Sequence, residues 1–368
     1  MATVGIGIIG TGFARRVQMP VFLECEEARL VSIASAHLAN ASATAEEFRV
    51  DHYTRDWRET VSHPDVDLVC ITTPPRLHRE MTLFAIKQGK HILCEKPMAM
   101  NVTEAMQMSA AAKAAPILAV IDHELRFQPG RLIAFEMLRD GAIGKVRHAK
   151  AIFRAPHRGD PSVPWNWWSD AGEGGGALGA IASHIIDSFH WFLGTTVSTV
   201  SCQLHTHIKE RRDIDGQKRV VTSDDESNML LRFKDGELTS DATGLVSVSM
   251  CEHPSYENTL EFFGDKGAMR IDQNGLIDLA SVGETDWTRH NVKLGKAVPG
   301  VPDTGFARGF MEFGPKLVSV LALGRTSLPH AATFEEGVRV QQVLDSARES
   351  DRSGRTIEVT AQEDHRSK

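Results

Sequence analysis

The N-terminal part of the chain alternates short apolar runs with longer amphipathic stretches, and this alternation limits the possible folds more than any other feature. The apolar runs predict strands buried on both faces, and the stretches between them predict helices. Such strands form a parallel sheet that helices cover on both sides. The predicted strands are Val4–Ile9, Leu30–Ala34, Leu68–Thr72, His91–Cys94 and Ile117–Ile121, and the predicted helices are Asn40–Phe48, Arg76–Gln88 and Val102–Lys113.

The pattern changes after Phe127-Gln128-Pro129. Alternating segments separated by turn pairs such as Asp235-Gly236 and Gly264-Asp265 favour antiparallel strands. We therefore predict an α/β protein with two domains: a doubly wound, Rossmann-type parallel sheet over residues 1–125, and an α+β domain with a mostly antiparallel, open sheet over residues 126–368. Helices of the second domain are predicted at Pro129–Arg139, Ala177–Phe192, Phe306–Leu323 and Phe334–Ser350, and strands at Asn228–Phe233, Glu237–Val248, Thr259–Phe263 and Arg355–Val359.

Charge and composition exclude several classes of function. A formal net charge of −7 gives little attraction for nucleic acid or anionic lipid. No apolar run is long enough to span a membrane, and the N-terminal residues lack the pattern of a secretion signal. The five cysteines are scattered without a C-x-x-C pair, so neither a disulfide framework nor a metal site is predicted. We expect a cytoplasmic protein that binds neither nucleic acid nor membrane.

The first strand leads directly into Gly10-Thr11-Gly12-Phe13-Ala14-Arg15. In a dinucleotide-binding turn, the first glycine makes the tight bend, and the second lets the backbone approach a pyrophosphate at the helix N-terminus. Gly10 and Gly12 fit these roles, with Phe13 and Ala14 at the helix start. Arg15 stands where a third glycine is expected, so a tight turn in another kind of α/β protein stays the alternative.

The end of the second strand reads Ala34-Ser35-Ala36-His37. NAD specificity usually depends on a carboxylate at this place, which accepts hydrogen bonds from the ribose diol. No carboxylate is present, and Ser35 or His37 can hydrogen-bond to a 2′-phosphate. We predict NADP or NAD as the cofactor, with a preference for NADP.

Two further strands end in polar motifs, Thr73-Pro74 followed by His78, and Glu95-Lys96-Pro97. Ligands bind at the carboxyl ends of strands in this architecture, so both segments are predicted to line the site. The residues predicted to bind the cofactor there are Thr73, Pro74, His78, Glu95 and Lys96. Lys96 has three donors and a mobile proton, which suits it to alcohol–carbonyl chemistry. A surface lysine that merely follows a strand is the alternative.

These motifs resemble those of the glucose-fructose oxidoreductase, inositol dehydrogenase and MocA family. The resemblance rests on T-P-x-x-x-H, G-K-H-I-x-C-E-K-P, Arg126-Phe127-Gln128-Pro129, Gly141-Ala142-Ile143-Gly144 and the glycine-rich stretch Gly174–Gly179. It implies redox chemistry on a sugar, cyclitol or similar polyol. It also implies that Lys96 contacts the reacting hydroxyl, that Glu95 lies near the nicotinamide ribose, and that the Lys96-Pro97 bond can be cis.

A predicted helix carries Ala180, His184 and Asp187 on one face. By itself the histidine would more often be a structural residue. The resemblance implies that His184 transfers a proton, because the family has a G-x-H-x-x-D pattern there. Ala182 replaces the glycine of that pattern, and Ala180 replaces an aspartate of inositol dehydrogenase-like members. Asp187 can bind substrate or serve as a structural contact.

Weaker candidates for substrate contact are His123, Arg126 and Trp167. Arg126 is also placed to pair with Glu124, since alternation directs both to one side. Trp167, with Trp165 and Trp168, can stack on a sugar ring or plug an apolar gap.

We predict an enzyme that transfers hydride between a carbohydrate-like substrate and nicotinamide, with Lys96 and His184 sharing proton transfer and the substrate between the nicotinamide and the second domain. Two alternatives stay open: glycoside cleavage without net redox change, and a non-enzymatic regulator that binds dinucleotide or sugar. The resemblance and the open sheet also suggest a homodimer or homotetramer.

Overall fold

The structure is a computed structural model, and it describes residues 2–360. The chain forms two compact units. Of the described residues, the first unit holds 2–135 together with Gln273–Ile277 and His290–Gly337, and the second holds Glu136–Asp272, Asp278–Arg289 and 338–360. No helix among residues 2–360 is both long and apolar enough to cross a membrane.

The first unit contains a seven-stranded sheet. Its strands are β1 (Val4–Ile9), β2 (Ala28–Ala34), β3 (His52–Thr54), β4 (Leu68–Ile71), β5 (His91–Cys94), β6 (Ala119–Ile121) and β17 (Ala332–Thr333), in the spatial order β17-β6-β5-β4-β1-β2-β3. The pairs from β3 to β6 are parallel, and β17 joins β6 in the antiparallel sense. Strand order reverses beside β1, and ligands bind at such a switch point in open α/β sheets.

Helices cover this sheet, and every residue of β1 and β4 is therefore buried. The helices are α1 (Met19–Leu23), α2 (Leu38–Phe48), α3 (Trp57–Ser62), α4 (His78–Lys87), α5 (Val102–Lys113) and α8 (Gly305–Ala322), and α6 (Pro129–Arg139) begins in this unit. Asp56 and Asn101 cap α3 and α5 by accepting backbone hydrogen bonds from Arg58 and Glu104.

Helix α8 extends the first unit well beyond the predicted boundary after residue 125. It packs on a short helical turn at Glu124–Phe127, where the Phe127 and Phe313 rings stack with centroids 4.6 Å apart. Gly309 allows the close approach, because a Cβ atom there would lie 2.3 Å from the Glu124 carbonyl oxygen. An amphipathic pattern predicts that a helix has a buried face, but not which sheet that face covers.

The second unit is built on a nine-stranded sheet with the order β16-β15-β14-β13-β7-β12-β11-β8-β18. These strands are β7 (Val146–Arg154), β8 (Val197–His205), β11 (Glu226–Phe233), β12 (Thr239–Ser249), β13 (Glu257–Gly264), β14 (Gly267–Ile271), β15 (Ile277–Ser281), β16 (Thr288–His290) and β18 (Ile357–Glu358). A separate hairpin pairs β9 (Glu210–Arg212) with β10 (Lys218–Val220). The helices are α7 (Ser183–Leu193) and most of α9 (Phe334–Ser353).

One face of this sheet is apolar and packs against α7, where Phe189 contacts Phe233 and Phe262 edge-on. The neighbours in the sheet are mostly antiparallel, with register pairs such as Met229 opposite Val246. Strands β7 and β12 are parallel. The predicted fold class is confirmed. Among the strands that were not predicted, β3 is only three residues long and β7 carries four basic residues.

Candidate active site

The first strand ends in a glycine turn that only glycine can form at its first position. Gly10 has φ of +98°, and a Cβ atom there would lie 2.5 Å from the carbonyl oxygen of Thr72. Its backbone N–H donates to the Ala34 carbonyl, and the Thr72 hydroxyl donates to the Gly10 carbonyl at 2.8 Å. The turn is therefore fixed between the ends of the two neighbouring strands.

Gly12 lies in different surroundings. It is exposed, its φ is not in the left-handed region, and a Cβ atom there would meet no atom within 4 Å. The helix that follows starts with a π-helical turn, Ala14–Gln18, and its N-terminus has no side-chain cap. Phe13 precedes that turn, with its ring edge-on to Phe310 at 6.5 Å. An open glycine beside an uncapped helix start fits a dinucleotide pyrophosphate.

Ser35 and His37 lie beyond the end of β2, and neither is buried. The Ser35 backbone N–H donates to the Thr54 carbonyl, and His37 begins α2 without making a capping bond. The nearby Arg15 donates to Glu47 on α2 at 2.6 Å. The segment Ser35-Ala36-His37 thus presents no carboxylate, and Arg15, at the third glycine position, is held by an acidic partner.

His78 joins the two polar motifs and is fully buried. Its Nε2 lies 2.8 Å from the Thr73 carbonyl oxygen, and its Nδ1 lies 3.1 Å from the Pro97 carbonyl oxygen. Burial lowers the pKa of this imidazole, and the hydrogen bonds to backbone oppose the shift. His78 was predicted to bind the cofactor, but its ring contacts protein backbone on both sides, so we assign it to fixing the loops after β4 and β5.

Glu95 and Lys96 follow β5, which lies next to β4 in the centre of the sheet. The Glu95 backbone N–H donates to the Ile71 carbonyl, and the Thr72 backbone N–H donates to the Ile9 carbonyl. These bonds bring the glycine turn, Thr73-Pro74 and Glu95-Lys96 to the carboxyl ends of three adjacent strands. Both Glu95 and Lys96 are partly exposed, and the Lys96-Pro97 peptide bond is cis, as the resemblance implied.

The charge of Lys96 acts on Glu95 and Glu124, and Asp122 interacts with both of these carboxyl groups; only Glu95 of the three was predicted to belong to the site. Burial raises the pKa of Glu95, whereas the charge of Lys96 opposes this rise. Burial, followed by the charges of neighbouring carboxylates, raises the pKa of Asp122 and of Glu124 well above the usual range. Gln18 is buried between Glu95 and Asp122 and donates to both. The site therefore includes Gln18, Asp122 and Glu124.

His123 and Arg126 are buried in the same region of the first unit. The Arg126 guanidinium forms a 2.9 Å ion pair with Glu336 and also donates to the His330 carbonyl. These bonds anchor the segment after β6 to the start of α9. A buried guanidinium with these partners is poorly placed to contact a substrate, so we retain only His123 from the predicted pair.

His184 and Asp187 belong to α7 of the second unit, and both are almost completely buried. The Ser188 hydroxyl donates to the His184 carbonyl at 2.7 Å. The helical turn before them, Leu178–Ala182, is π-helical, so the glycine-rich entry delivers these two side chains on an irregular helix start. π-Helical turns occur frequently at functional sites.

Asp224 organises that glycine-rich entry and was not predicted. One carboxylate oxygen accepts from the Leu178 backbone N–H at 2.7 Å, and a Cβ atom on Gly176 would lie 2.4 Å from the other. Gly176 also has φ of +114°. Burial raises the pKa of Asp224 to about 6, against the hydrogen bond from Leu178. The available signal was the Asp224-Asp225 pair directly before a strand.

Trp165, Trp167 and Trp168, which lie close together in the sequence of the second unit, differ in their surroundings. The Arg219 guanidinium lies over Trp165 and the Arg158 guanidinium over Trp168, so both rings already have cationic partners. Trp167 is 38% exposed. Of the three, Trp167 is the ring that fits sugar stacking.

Comparison with known proteins identifies the family of both regions. The model of an oxidoreductase family with an NAD-binding Rossmann fold matches residues 4–123, and the model of the GFO/IDH/MocA C-terminal domain matches residues 133–270. Levoglucosan dehydrogenase of Pseudarthrobacter phenanthrenivorans is 32% identical over 292 residues, covering 73% of each chain.

Two solved structures share the whole fold. Levoglucosan dehydrogenase in complex with NADH and levoglucosan superposes with a TM-score of 0.86 at 26% identity, covering 98% of this chain and 100% of the other. An oxidoreductase domain protein from Kribbella flavida gives a TM-score of 0.86 at 28% identity, with the same coverage. The family predicted from the sequence is confirmed, as is the prediction of an enzyme: the chain belongs to the GFO/IDH/MocA family of NAD-binding oxidoreductases.

Proposed function

We propose that this protein is a sugar dehydrogenase, in which Lys96 acts on the substrate hydroxyl group that is oxidised. The observation that supports this most directly is the partly exposed Lys96 at the carboxyl end of β5, next to the strand that carries the glycine turn and its neighbour β4. The nicotinamide ring of the bound cofactor would accept or donate the hydride. The residues of the chain bind, orient and move protons.

The first unit supplies the groups for the cofactor. Gly12 and the uncapped helix start at Phe13 and Ala14 would hold the pyrophosphate, and Gly10 keeps that turn in shape. Ser35 and His37 would lie along the adenosine ribose. Thr73, Pro74 and Glu95 would line the path to the nicotinamide ribose. The buried His78 ring would hold this segment through the Thr73 and Pro97 carbonyl oxygens.

Lys96 would hydrogen-bond to the oxygen of the reacting hydroxyl group and take its proton during oxidation. His184 would take part in the same proton transfer, and Asp187 would orient the substrate. His123 and Trp167 are further candidates for substrate contact. An aspartate at position 180 is not available, so Asp187 is the nearest acidic group on α7 to serve His184.

The cofactor preference depends on Ser35-Ala36-His37. A carboxylate at this place would repel the 2′-phosphate of NADP, and none is present, which supports the use of NADP. The NADH complexes of levoglucosan dehydrogenase support the use of NAD. We propose that the protein accepts both cofactors, with NADP preferred, and a ratio of kcat/KM that strongly favours NAD would overturn the preference.

The substrate class is tested by an absorbance screen at the nicotinamide band. Levoglucosan and L-sorbose are the first probes because the similar structures contain them, and cyclitols, aldoses and sugar acids complete the panel. Reduction of cofactor in proportion to sugar consumed is expected. Product formation without net cofactor change would instead favour glycoside cleavage, and cofactor binding with no turnover of any probe would favour a regulator.

The open face of the nine-stranded sheet supports a homodimer or homotetramer. Charged and polar side chains line that face, including the Lys150–Glu261 ion pair at 3.1 Å. Light scattering coupled to size-exclusion chromatography distinguishes a dimer or tetramer from a monomer.

A further inference from the structure

The strands β5 and β6 deliver two carboxyl groups to the same edge of the sheet. Glu95 follows β5, Asp122 follows β6, and Cys94 lies opposite Ile121 in their parallel register. The Asp122 backbone N–H donates to the Cys94 carbonyl at 2.8 Å. Asp122 is therefore held by backbone to the segment that carries Lys96.

One amide group joins these two carboxyl groups. The Gln18 Nε2 atom donates to Asp122 Oδ2 at 2.7 Å and to Glu95 Oε1 at 3.3 Å. Gln18 and Asp122 are both 0% exposed. An amide nitrogen has two hydrogens, so both are used by this bridge. Gln18 comes from the helical turn that starts at the glycine turn, so the bridge also ties the cofactor-binding segment to Glu95.

The surroundings of Asp122 favour its neutral form. Three buried side-chain oxygens accept no hydrogen bond from the described residues: Asp122 Oδ1, Glu124 Oε2 and the side-chain amide oxygen Oε1 of Gln18. A buried carboxylate with so few donors is costly, whereas a carboxylic acid can itself donate. Burial, followed by the charges of Glu124 and Glu95, raises the pKa of Asp122, and the Gln18 Nε2 atom brings the Asp122 and Glu95 oxygens together. The groups that act electrostatically on this pair are Glu124, Lys96, Cys70 and Cys94, and Arg131 acts on Glu124.

We propose that Asp122 is a positioning residue for Lys96: as a neutral acid, clamped by Gln18, it donates a hydrogen bond to Glu95 and fixes the Glu95-Lys96 segment. This inference rests on the proposed function of Lys96. Asp122 acts through Glu95 and need not touch a substrate.

The protonated acid is tested first on the cofactor-free protein, by infrared spectroscopy of protein labelled with ¹³C-aspartate at neutral pH. The wild type is expected to show the carbonyl stretch of a protonated carboxyl group, and Asp122→Asn is expected to lose it. Glu124→Gln should keep the band, since aspartate alone carries the label. A labelled spectrum in which Asp122→Asn removes no protonated band would overturn the proposal without reference to any substrate.

The positioning role is tested by turnover of levoglucosan with NAD and by the pH profile of kcat/KM. Asp122→Ala removes a donor from Glu95, so kcat should fall about tenfold, and the acid limb should move to higher pH. Asp122→Asn can still donate to Glu95 and accept from Gln18, so it should restore both quantities to within about threefold of wild type. The cofactor dissociation constant should stay within about threefold in both variants.

The control is Asp67→Ala, at the opposite edge of the same sheet, where Asp67 directly precedes β4 and accepts from the Gly5 backbone N–H. It should leave kcat and the pH profile unchanged. A profile unmoved by Asp122→Ala, or equal losses in the alanine and asparagine variants together with lost cofactor affinity, would overturn the positioning role. If Lys96→Ala retains full turnover, the proposed function fails.

If Lys96→Ala loses turnover but Asp122→Ala behaves as wild type, the proposed function stands and the positioning role of Asp122 fails. If the wild type does not turn levoglucosan over, the infrared result decides alone.

Discussion

The Lys96 side chain combines partial exposure with a place at the carboxyl end of a central strand, and its neighbours limit where it can move. Glu95 precedes it, and the adjoining Pro97 carbonyl is held by His78 at 3.1 Å. A flexible side chain on a fixed backbone can reach a substrate with little loss of precision. At the residue scale, the proposed chemistry therefore depends on one lysine and on the buried groups that fix its backbone.

Replacing Lys96 by alanine should lower kcat by roughly 100-fold to 10,000-fold, the range typical of losing a proton-transfer group. Cofactor affinity should change by less than about threefold, because the proposed cofactor contacts lie elsewhere. Lys96→Arg should also be slow, since a guanidinium keeps its proton at every accessible pH. Steady-state rates with the best sugar from the screen, together with fluorescence titration of NADH, measure both effects.

Lys113→Ala provides the matched control, because Lys113 lies in the same unit and its ammonium pairs with Glu335 on the surface at 3.0 Å. Its kcat should equal that of the wild type. Undiminished turnover in Lys96→Ala would contradict the role given to Lys96.

Lys96 was predictable because its motif is local, with a glutamate and a proline on either side of it. Asp122 and Gln18 were not predictable because their role depends on partners far along the chain. Gln18 lies 77 residues from Glu95 and 104 residues from Asp122 in sequence. Nothing in a single sequence distinguishes this glutamine from one on a helix surface.

At the scale of elements, both predicted parts of the site begin with glycine turns and π-helical turns. The turn after β1 leads into Ala14–Gln18, and the glycine-rich entry of the second unit leads into Leu178–Ala182. The first helix start has no side-chain cap, whereas Asp224 accepts from the Leu178 backbone N–H of the second. The uncapped start suits an anionic ligand, and the capped start suits a neutral one.

Replacing Asp224 by asparagine should stabilise the protein at neutral pH but hardly at acidic pH. Asp224 has a folded-state pKa of about 6 against an unfolded value of 3.8. The folded state therefore binds more protons than the unfolded state between these values, and stability falls as the pH rises through that window. Asparagine does not ionise and can still accept from Leu178. The free energy of unfolding of the variant, relative to wild type, should rise by about 2 kcal/mol between about pH 4.5 and pH 7.5.

Urea unfolding at the two pH values measures this difference. Asp265→Asn is the control, because Asp265 accepts a backbone N–H from Lys145 at 2.9 Å but is exposed. Its stability relative to wild type should lack that rise. A pH-independent difference for Asp224→Asn would mean that burial does not raise the pKa of Asp224.

Helices and strands with a long sequence pattern were largely predictable, whereas features that depend on tertiary contacts, such as the pairing of distant strands, were not. Strands β1 and β5 and helix α5 have the predicted bounds. The parallel pairing of β7 with β12 could not be read from hairpin turns, since those report only on neighbours along the chain. The π-helical turns also have no local signature that separates them from an ordinary helix start.

On the scale of the whole molecule, the first unit is assembled from distant parts of the chain. The residues up to Phe135 combine with His290–Gly337, and the Phe22 and Phe310 rings meet edge-on at 5.5 Å in their common core. Helix α8 also reaches the glycine turn after β1 through the contact of Phe310 with Phe13. Ligand binding at the glycine turn should therefore stabilise the whole unit, including its C-terminal part.

This coupling predicts a clear difference between two glycine variants. Gly12→Val adds a side chain in open space at an ordinary φ, so the cofactor-free protein should melt near the wild-type temperature. Gly10→Ala forces a Cβ atom against Thr72 at φ of +98° and should destabilise the fold by about 1–3 kcal/mol. With NADH at about 100 times its dissociation constant, the wild type should gain about 2.7 kcal/mol. Gly12→Val should gain almost nothing, because its side chain occupies the approach of the pyrophosphate.

Thermal melts with and without NADH, followed by tryptophan fluorescence, separate the two effects. The strongest support would be normal stability of Gly12→Val combined with loss of the NADH shift, because a folding defect cannot produce that pair of results. In the wild type, NADH should protect both residues 290–337 and the N-terminal region from limited proteolysis. In Gly12→Val, NADH should protect neither region. A full NADH shift in Gly12→Val would place the pyrophosphate away from this turn, and the roles proposed for Phe13 and Ala14 would then fail with it.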